Sequence, residues 1–273
     1  MSKRVLNISI LVVLLAGGAA WADWDPGDGH KMHWPQLPDP LGWDVAFNEQ
    51  TAGNGSLADD WQCSQTGPVN DIHFWISVQK SASGTPPPVL APFRVSIRAD
   101  VPAGDIAGVD YSTPGTVLWT KNVDPTDASS YKIRWYGSGD QGWYNPWTGV
   151  ADPNDHFDFF QINLTNLDTA TNPAFIQDQG TTYWLEIGMV DVYDIGWKTA
   201  DLNSYPAPQT GEHFKDDAVY SPGPNPNTIW KDLYYPNITP PKSLDLAFVI
   251  TPEPATLAVL LVGGILGLAR RRR

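Results

Sequence analysis

Carboxylates are the first groups here that could do chemistry: 30 Asp and Glu stand against 17 Lys and Arg. Glycoside hydrolysis needs two carboxyl groups at a fixed separation, one of them with a raised pKa. So many acids make any chosen spacing easy to find, and the four Glu discriminate better: Glu49, Glu186, Glu212 and Glu253. Only Glu186 falls inside a strand pattern, Tyr183-Trp184-Leu185-Glu186-Ile187-Gly188, where aromatic neighbours would suit a sugar. The simpler reading of that pattern is an outward-facing residue beside core Leu185 and Ile187. Acyl transfer lacks a G-x-S-x-G elbow, and Cys63 sits in an apparent strand without a His partner. His30 and His33 have H-x-x-H spacing, but they lie in a Pro-rich stretch with no H-E-x-x-H and no second Cys. Phosphate-cradling Gly loops are missing. The expectation is a protein that is not an enzyme.

Binding chemistry is better represented. Hard cations take six to eight oxygens, so clustered Asp in turns is the relevant signal for Ca²⁺. The clusters are Asp23/Asp25/Asp28, Asp59/Asp60, Asp152/Asp155/Asp158, Asp191/Asp194 and Asp216/Asp217, and none has EF-hand spacing. Asp152, Asp155 and Asp158 are the candidate Ca²⁺ ligands. Their plainer reading is solvated acids that cap turns. In a strand, Asp59 and Asp60 would point to opposite faces, so only one could join a given site. Trp135, Tyr136, Trp143, Tyr144 and Trp147 place five aromatics in what reads as a Gly-rich loop, a candidate platform for stacking on pyranose rings. The alternative is that these rings fold back over one end of the domain.

The elements that must position these groups are strands. With 25 Pro and 24 Gly, long helices are disfavoured, whereas short strands joined by turns suit the composition. Phe93, Val95 and Ile97 alternate with Arg94, Ser96 and Arg98, the period of a half-buried strand. Ile72, Phe74 and Ile76 alternate likewise with His73, Trp75 and Ser77. Further strands are expected over 43–48, 57–63, 69–78, 116–123, 131–136, 157–164, 182–192, 196–199 and 244–250. Residues 82–88 and 222–226 read as Pro-rich loops. The expected fold is all-β, a two-sheet antiparallel sandwich of jelly-roll type over residues 43–250, preceded by an extended lead-in over 23–42. The single Cys63 allows no internal disulfide, so the core must hold the domain together.

Both ends carry addresses. Lys3 and Arg4, an apolar run from Val5 to Leu15, and Ala20-Trp21-Ala22 have the layout of a secretory signal peptide over 1–22, cut by signal peptidase after Ala22. At the other end, residues 255–269 are apolar and Arg270, Arg271, Arg272 and Arg273 follow. A helix of about 15 residues spans only about 23 Å of a roughly 30 Å hydrocarbon core, so it is a marginal transmembrane helix. The arginines would hold the C-terminus in the cytoplasm and the domain outside. Residues 23–251 keep 11 of the Lys and Arg and 29 of the acids, a net charge of −18. Such a surface repels nucleic acid and anionic bilayers alike.

Pro252-Glu253-Pro254, the apolar segment and the terminal arginines resemble the PEP-CTERM sorting signal, spanning 251–273. The resemblance implies recognition by an exosortase-type sorting enzyme, transient anchoring in the inner membrane through the C-terminal helix, and delivery to the cell surface or extracellular matrix. Residues 58–63, 71–75, 196–199, 216–219 and 243–248 are similar to an uncharacterised ectodomain found on PEP-CTERM proteins, a likeness that implies no activity. The expected function is an exported, non-catalytic surface or matrix protein. The alternative is a carbohydrate-binding module, Ca²⁺-stabilised, that binds extracellular polysaccharide; a glycan-active enzyme stands third.

Overall fold

Ile72, Phe74 and Ile76 are fully buried on one face of their strand, and His73, Trp75 and Ser77 are buried on the other. A strand covered on both faces needs more than one neighbouring layer. The computed structural model describes residues 23–28, 33, 35–48, 55–189, 194–201, 217–222 and 229–251. Fourteen strands run through them: β1 (Trp43–Ala46), β2 (Leu57–Gln62), β3 (Gly67–Val69), β4 (Asp71–Val78), β5 (Phe93–Val101), β6 (Thr113–Val123), β7 (Tyr131–Asn145), β8 (Val150–Leu164), β9 (Phe175–Gln177), β10 (Thr182–Gly188), β11 (Ile195–Lys198), β12 (Val219–Tyr220), β13 (Lys231–Asp232) and β14 (Phe248–Thr251). Among the described residues there is no helix, and therefore none long and apolar enough to cross a membrane. The signal peptide with Ala20 and Ala22, the sorting motif Pro252–Pro254, the segment 255–269 and Arg270–Arg273 lie outside the described residues, as do His30, Glu49, Asp191, Glu212 and Asp216.

Two six-stranded sheets form the body, in the orders β11-β1-β7-β8-β4-β14 and β13-β12-β2-β10-β5-β6, with a small β3-β9 pair beside them. The all-β expectation and its two sheets hold. Two details differ from a purely antiparallel sandwich. β1 runs parallel to β7, with Asp44 opposite Trp143. β11 also pairs with β4, Gly196 opposite Ser77, so β4, β8, β7, β1 and β11 close into a ring of five strands. Closure removes two sheet edges that would otherwise invite pairing with another chain.

The main core lies between the sheets. Phe74, Ile76, Phe160, Ile162 and Trp197 from the ring meet Trp61, Val95, Ile97, Leu185 and Ile187 from the second sheet. A second cluster, Trp24, Trp75, Phe159, Ala247 and Val249, sits on the opposite face of β4 and β8. Residues of the expected lead-in belong to the packed body: Trp24 is fully buried, and Gln36 and Pro38 bridge to Phe248 and Ala200. Its lack of periodicity reflects isolated bridges in place of a ladder.

The expected Gly-rich loop after Tyr136 is strand. β7 runs on to Asn145, paired with β8, its register shifting between Trp135 and Gly137 and again around Gln141. Its glycines serve close approach. A Cβ on Gly137 would lie 2.6 Å from the Phe159 ring, one on Gly142 2.5 Å from the Trp43 ring, and one on Gly139 would collide with the Pro40 carbonyl. Glycine inside a strand marks this kind of contact.

Candidate functional site

The ring of five strands encloses polar side chains. Asp44 on β1 faces Lys198 on β11 as its direct register partner. Lys198 Nζ donates to Asp44 Oδ2 at 3.0 Å, and both side chains are fully buried. His156 on β8 reaches the same Oδ2 through Nε2 at 2.9 Å. β8 is not a neighbour of β1 in the sheet, so this contact passes through the ring interior. Ser77 Oγ on β4 likewise donates across to Gln141 Oε1 on β7 at 3.3 Å. His156 Nδ1 is 3.1 Å from Asp155 Oδ1, and Asp155 also accepts from the Lys80 backbone N–H. Trp143 packs edge-on to His156, and the Phe159 ring lies 5.7 Å from Lys198 Nζ. The chain Asp155–His156–Asp44–Lys198 is thus a continuous row of buried titratable side chains. Asp44 Oδ1 accepts no hydrogen bond among the described residues.

Electrostatics within the row follow from burial and pairing. Burial by itself raises a carboxyl pKa, but Lys198 and His156 outweigh it and hold Asp44 below the usual carboxylate range. For Lys198, burial dominates, and its ammonium pKa is lowered even with Asp44 alongside. The neutral amine is accordingly more accessible than for a lysine in water.

Two other buried acid sites flank the core. Glu186 on β10 is fully buried and bonded to Arg94 Nη2 at 2.8 Å and to Arg98 Nε, both on β5. The two guanidinium groups overcome burial and keep Glu186 below the usual range. A general acid needs the opposite shift. The sequence put Glu186 on the outward face beside core Leu185 and Ile187, and it lies on that face, yet buried, because the arginines there fold over it. Asp59 and Asp60 on β2 and Asp245 are all fully buried as well. Burial, then Asp245 and Asp60, push Asp59 well above the usual carboxylate range despite hydrogen bonds from the backbone N–H groups of Leu246 and Asp60.

The residues singled out in the sequence take less exposed roles. Asp158 accepts from the Gly84 and Thr85 backbone, Trp135 Nε1 and Ser138 Oγ, so it pins the Pro-rich loop to the sheet. Asp155 is committed to Lys80 and His156, while Asp152 is exposed and paired in register with Trp143. The candidate Ca²⁺ trio is therefore not gathered into one cage: Asp155 and Asp158 are spent on protein donors, and Asp152 is exposed. Among the described residues no group of three or more His, Cys, Asp or Glu could hold a metal ion. His33 is buried, its Nε2 accepting from the Ile250 N–H at 2.7 Å, and it stacks on Phe248. Of the five aromatics, Trp143 is buried, Tyr136 packs on Trp75 and Phe159, Tyr144 joins the main core, and Trp147 donates its indole N–H to the Ser221 carbonyl. Trp135 alone of the five is exposed, at 54%.

The model of a family described as Domain of unknown function (DUF7901) matches residues 32–251. The chain belongs to this family. No curated protein and no solved structure matches it. The DUF7901 match takes in Asp44, His156 and Lys198 and both sheets, and it ends at Thr251, the last residue of β14.

Sequence reading did not find the ring interior. Its signal was a charge set in each of two otherwise apolar strands, Trp43-Asp44-Val45 and Ile195-Gly196-Trp197-Lys198. A lone charge between core residues calls for a partner of opposite sign.

Proposed function

We propose that this DUF7901 protein is an exported, non-catalytic domain displayed on the cell surface or in the extracellular matrix, carried there by the signal peptide over 1–22 and a PEP-CTERM signal over 251–273. The observation that carries the reading is a boundary. The matched region stops at Thr251, and Pro252-Glu253-Pro254 begins at the next residue. A sorting signal has to be separable from the body it delivers, and a family domain that ends just before the motif supports this reading. The buried chemistry fits as well, since Glu186, Asp155, Asp158 and His156 are turned toward protein partners. Signal peptidase and an exosortase-type enzyme are the partners this reading requires. Intact-mass analysis of protein recovered from the cell surface tests it. The expected chain lacks residues 1–22 and everything beyond about 252–254, and recovery of a chain ending at Arg273 would refute processing.

A second reading, carbohydrate binding, has one observation in its favour. The exposed Trp135 ring is held in place by its indole N–H to Asp158 Oδ1 at 3.2 Å, and a fixed ring loses little entropy on stacking. Trp135→Ala would abolish binding on a glycan array if Trp135 is the platform.

A further inference from the structure

Lys198 and Asp44 have the arrangement of reactants. They are direct cross-strand partners, their side chains are fully buried, and Nζ lies 3.0 Å from Oδ2. We propose that the two condense to an intramolecular isopeptide bond, a side-chain amide that joins β11 to β1 across 154 residues of chain.

The step balances without a co-reactant. The ammonium of Lys198 passes one proton to Asp44 Oδ2, which leaves a neutral amine beside a carboxylic acid. The nitrogen lone pair forms the N–Cγ bond. The Cγ–Oδ2 bond breaks, a second proton goes from nitrogen to that oxygen, and one water departs. Nitrogen keeps one hydrogen, and Oδ1 becomes the amide carbonyl oxygen. No electrons are gained or lost.

Each neighbour suits a part of this step. Oδ2, the leaving oxygen, is the atom that takes both donors, Lys198 Nζ and His156 Nε2, while Oδ1 takes none among the described residues. His156 is placed to protonate the leaving oxygen and to recover a proton from nitrogen, and Asp155 at its Nδ1 fixes the ring for that relay. His156 and Asp155 act as positioning and relay groups; the reacting atoms belong to Lys198 and Asp44.

Energetics favour the amide over a persistent ion pair here. In water, amide condensation competes against a large excess of solvent. Inside the ring the partners are held at an effective concentration that can reach about 10⁵ M or more. Two buried ions become one neutral group, so the desolvation cost of each charge disappears. The Phe159 ring beside Lys198 and the Trp143 ring beside His156 keep the site apolar around the new bond. The need is also plain: with one cysteine, this domain has no internal disulfide to use outside the cell.

Tryptic mapping of the purified full chain tests the proposal. Trypsin cannot cut after an acylated lysine, so the peptide 135–215 should appear uncut at Lys198 and joined to 32–80, lighter than the two together by the mass of one water. Lys198→Arg keeps the positive charge without a nucleophilic amine, and its peptides should separate at full mass. Folded Asp44→Asn should lose ammonia in place of water and converge on the wild-type mass. His156→Asn should slow joining after refolding by about 100-fold or more. Separate, full-mass peptides from folded wild-type protein, with cleavage after Lys198, would overturn the proposal, as would a joined pair in Lys198→Arg.

Discussion

Glu186 lies directly opposite Ser96, which places Arg94 and Arg98 as its two diagonal neighbours on the same face of the sheet. Diagonal positions in an antiparallel pair are within reach of long side chains, and both arginines bond the one carboxylate. Three residues that read from the sequence as an outer face are therefore an ion triad around a buried carboxylate.

Removing the charge at the centre of that triad should be costly. Breaking a fully buried pair costs about 3–5 kcal/mol because the remaining ions lose their partner. The arginine side chains keep 17% and 18% exposure, so water recovers part of the loss. Glu186→Gln is expected to destabilise by about 2–3 kcal/mol, seen as a lower urea midpoint with an unchanged slope.

Gly137→Ala should also destabilise, for a steric reason. Its Cβ would sit 2.6 Å from Cζ of Phe159, a ring only 2% exposed. Overpacking of this kind costs about 1–3 kcal/mol. Gly27→Ala, where a Cβ meets nothing within 4 Å, is the control and should lie within about 0.5 kcal/mol of wild type.

How far the sequence carries can be judged on these residues. Alternation placed Phe93, Val95 and Ile97 correctly, because period two is local and needs no partner to be read. It also placed Arg94 and Arg98 on the opposite, outward face, but not their partner, the buried carboxylate of Glu186, 92 and 88 residues away. Gly137, Gly139 and Gly142 read as a loop because glycine signals both flexibility and close approach, and only the position of Phe159, Pro40 and Trp43 distinguishes the two. Asp44 and Lys198 lie 154 residues apart, so their pairing depends on β11 lying beside β1, which no local pattern encodes.

Cys63 should behave as a silent thiol. It is 2% exposed, its Sγ donates to Gln177 Oε1 at 2.9 Å, and burial pushes its pKa up to about 12. At pH 8 the thiolate is then about one part in 10⁴ of the native population. Alkylation by iodoacetamide at pH 8 is expected to follow the rate of unfolding and to become fast only in denaturant. Rapid labelling of the folded chain would refute the buried placement.

The acid cluster around Asp59 should make the domain more stable at pH 5 than at pH 7. Burial, Asp245 and Asp60 raise the Asp59 pKa in the folded state far above its unfolded value of about 3.9. Between those two values the unfolded chain has released a proton that the native protein still holds. The native state thus binds more protons, and stability falls as pH rises through that window. Glu186 works in the opposite sense: its folded pKa is depressed, so its contribution is present above about pH 4.3 and is lost only at lower pH. The interval from pH 5 to 7 therefore reports Asp59 with Glu186 constant. Asp245→Asn removes the charge that, after burial itself, raises Asp59 most, and should bring Asp59 back toward its ordinary value. Urea unfolding of wild type and Asp245→Asn at pH 5, 6 and 7 is the measurement, and comparing the two slopes cancels every histidine they share. The variant is expected to show the flatter decline. Equal slopes would mean that Asp245 does not set the Asp59 proton affinity and that burial alone does.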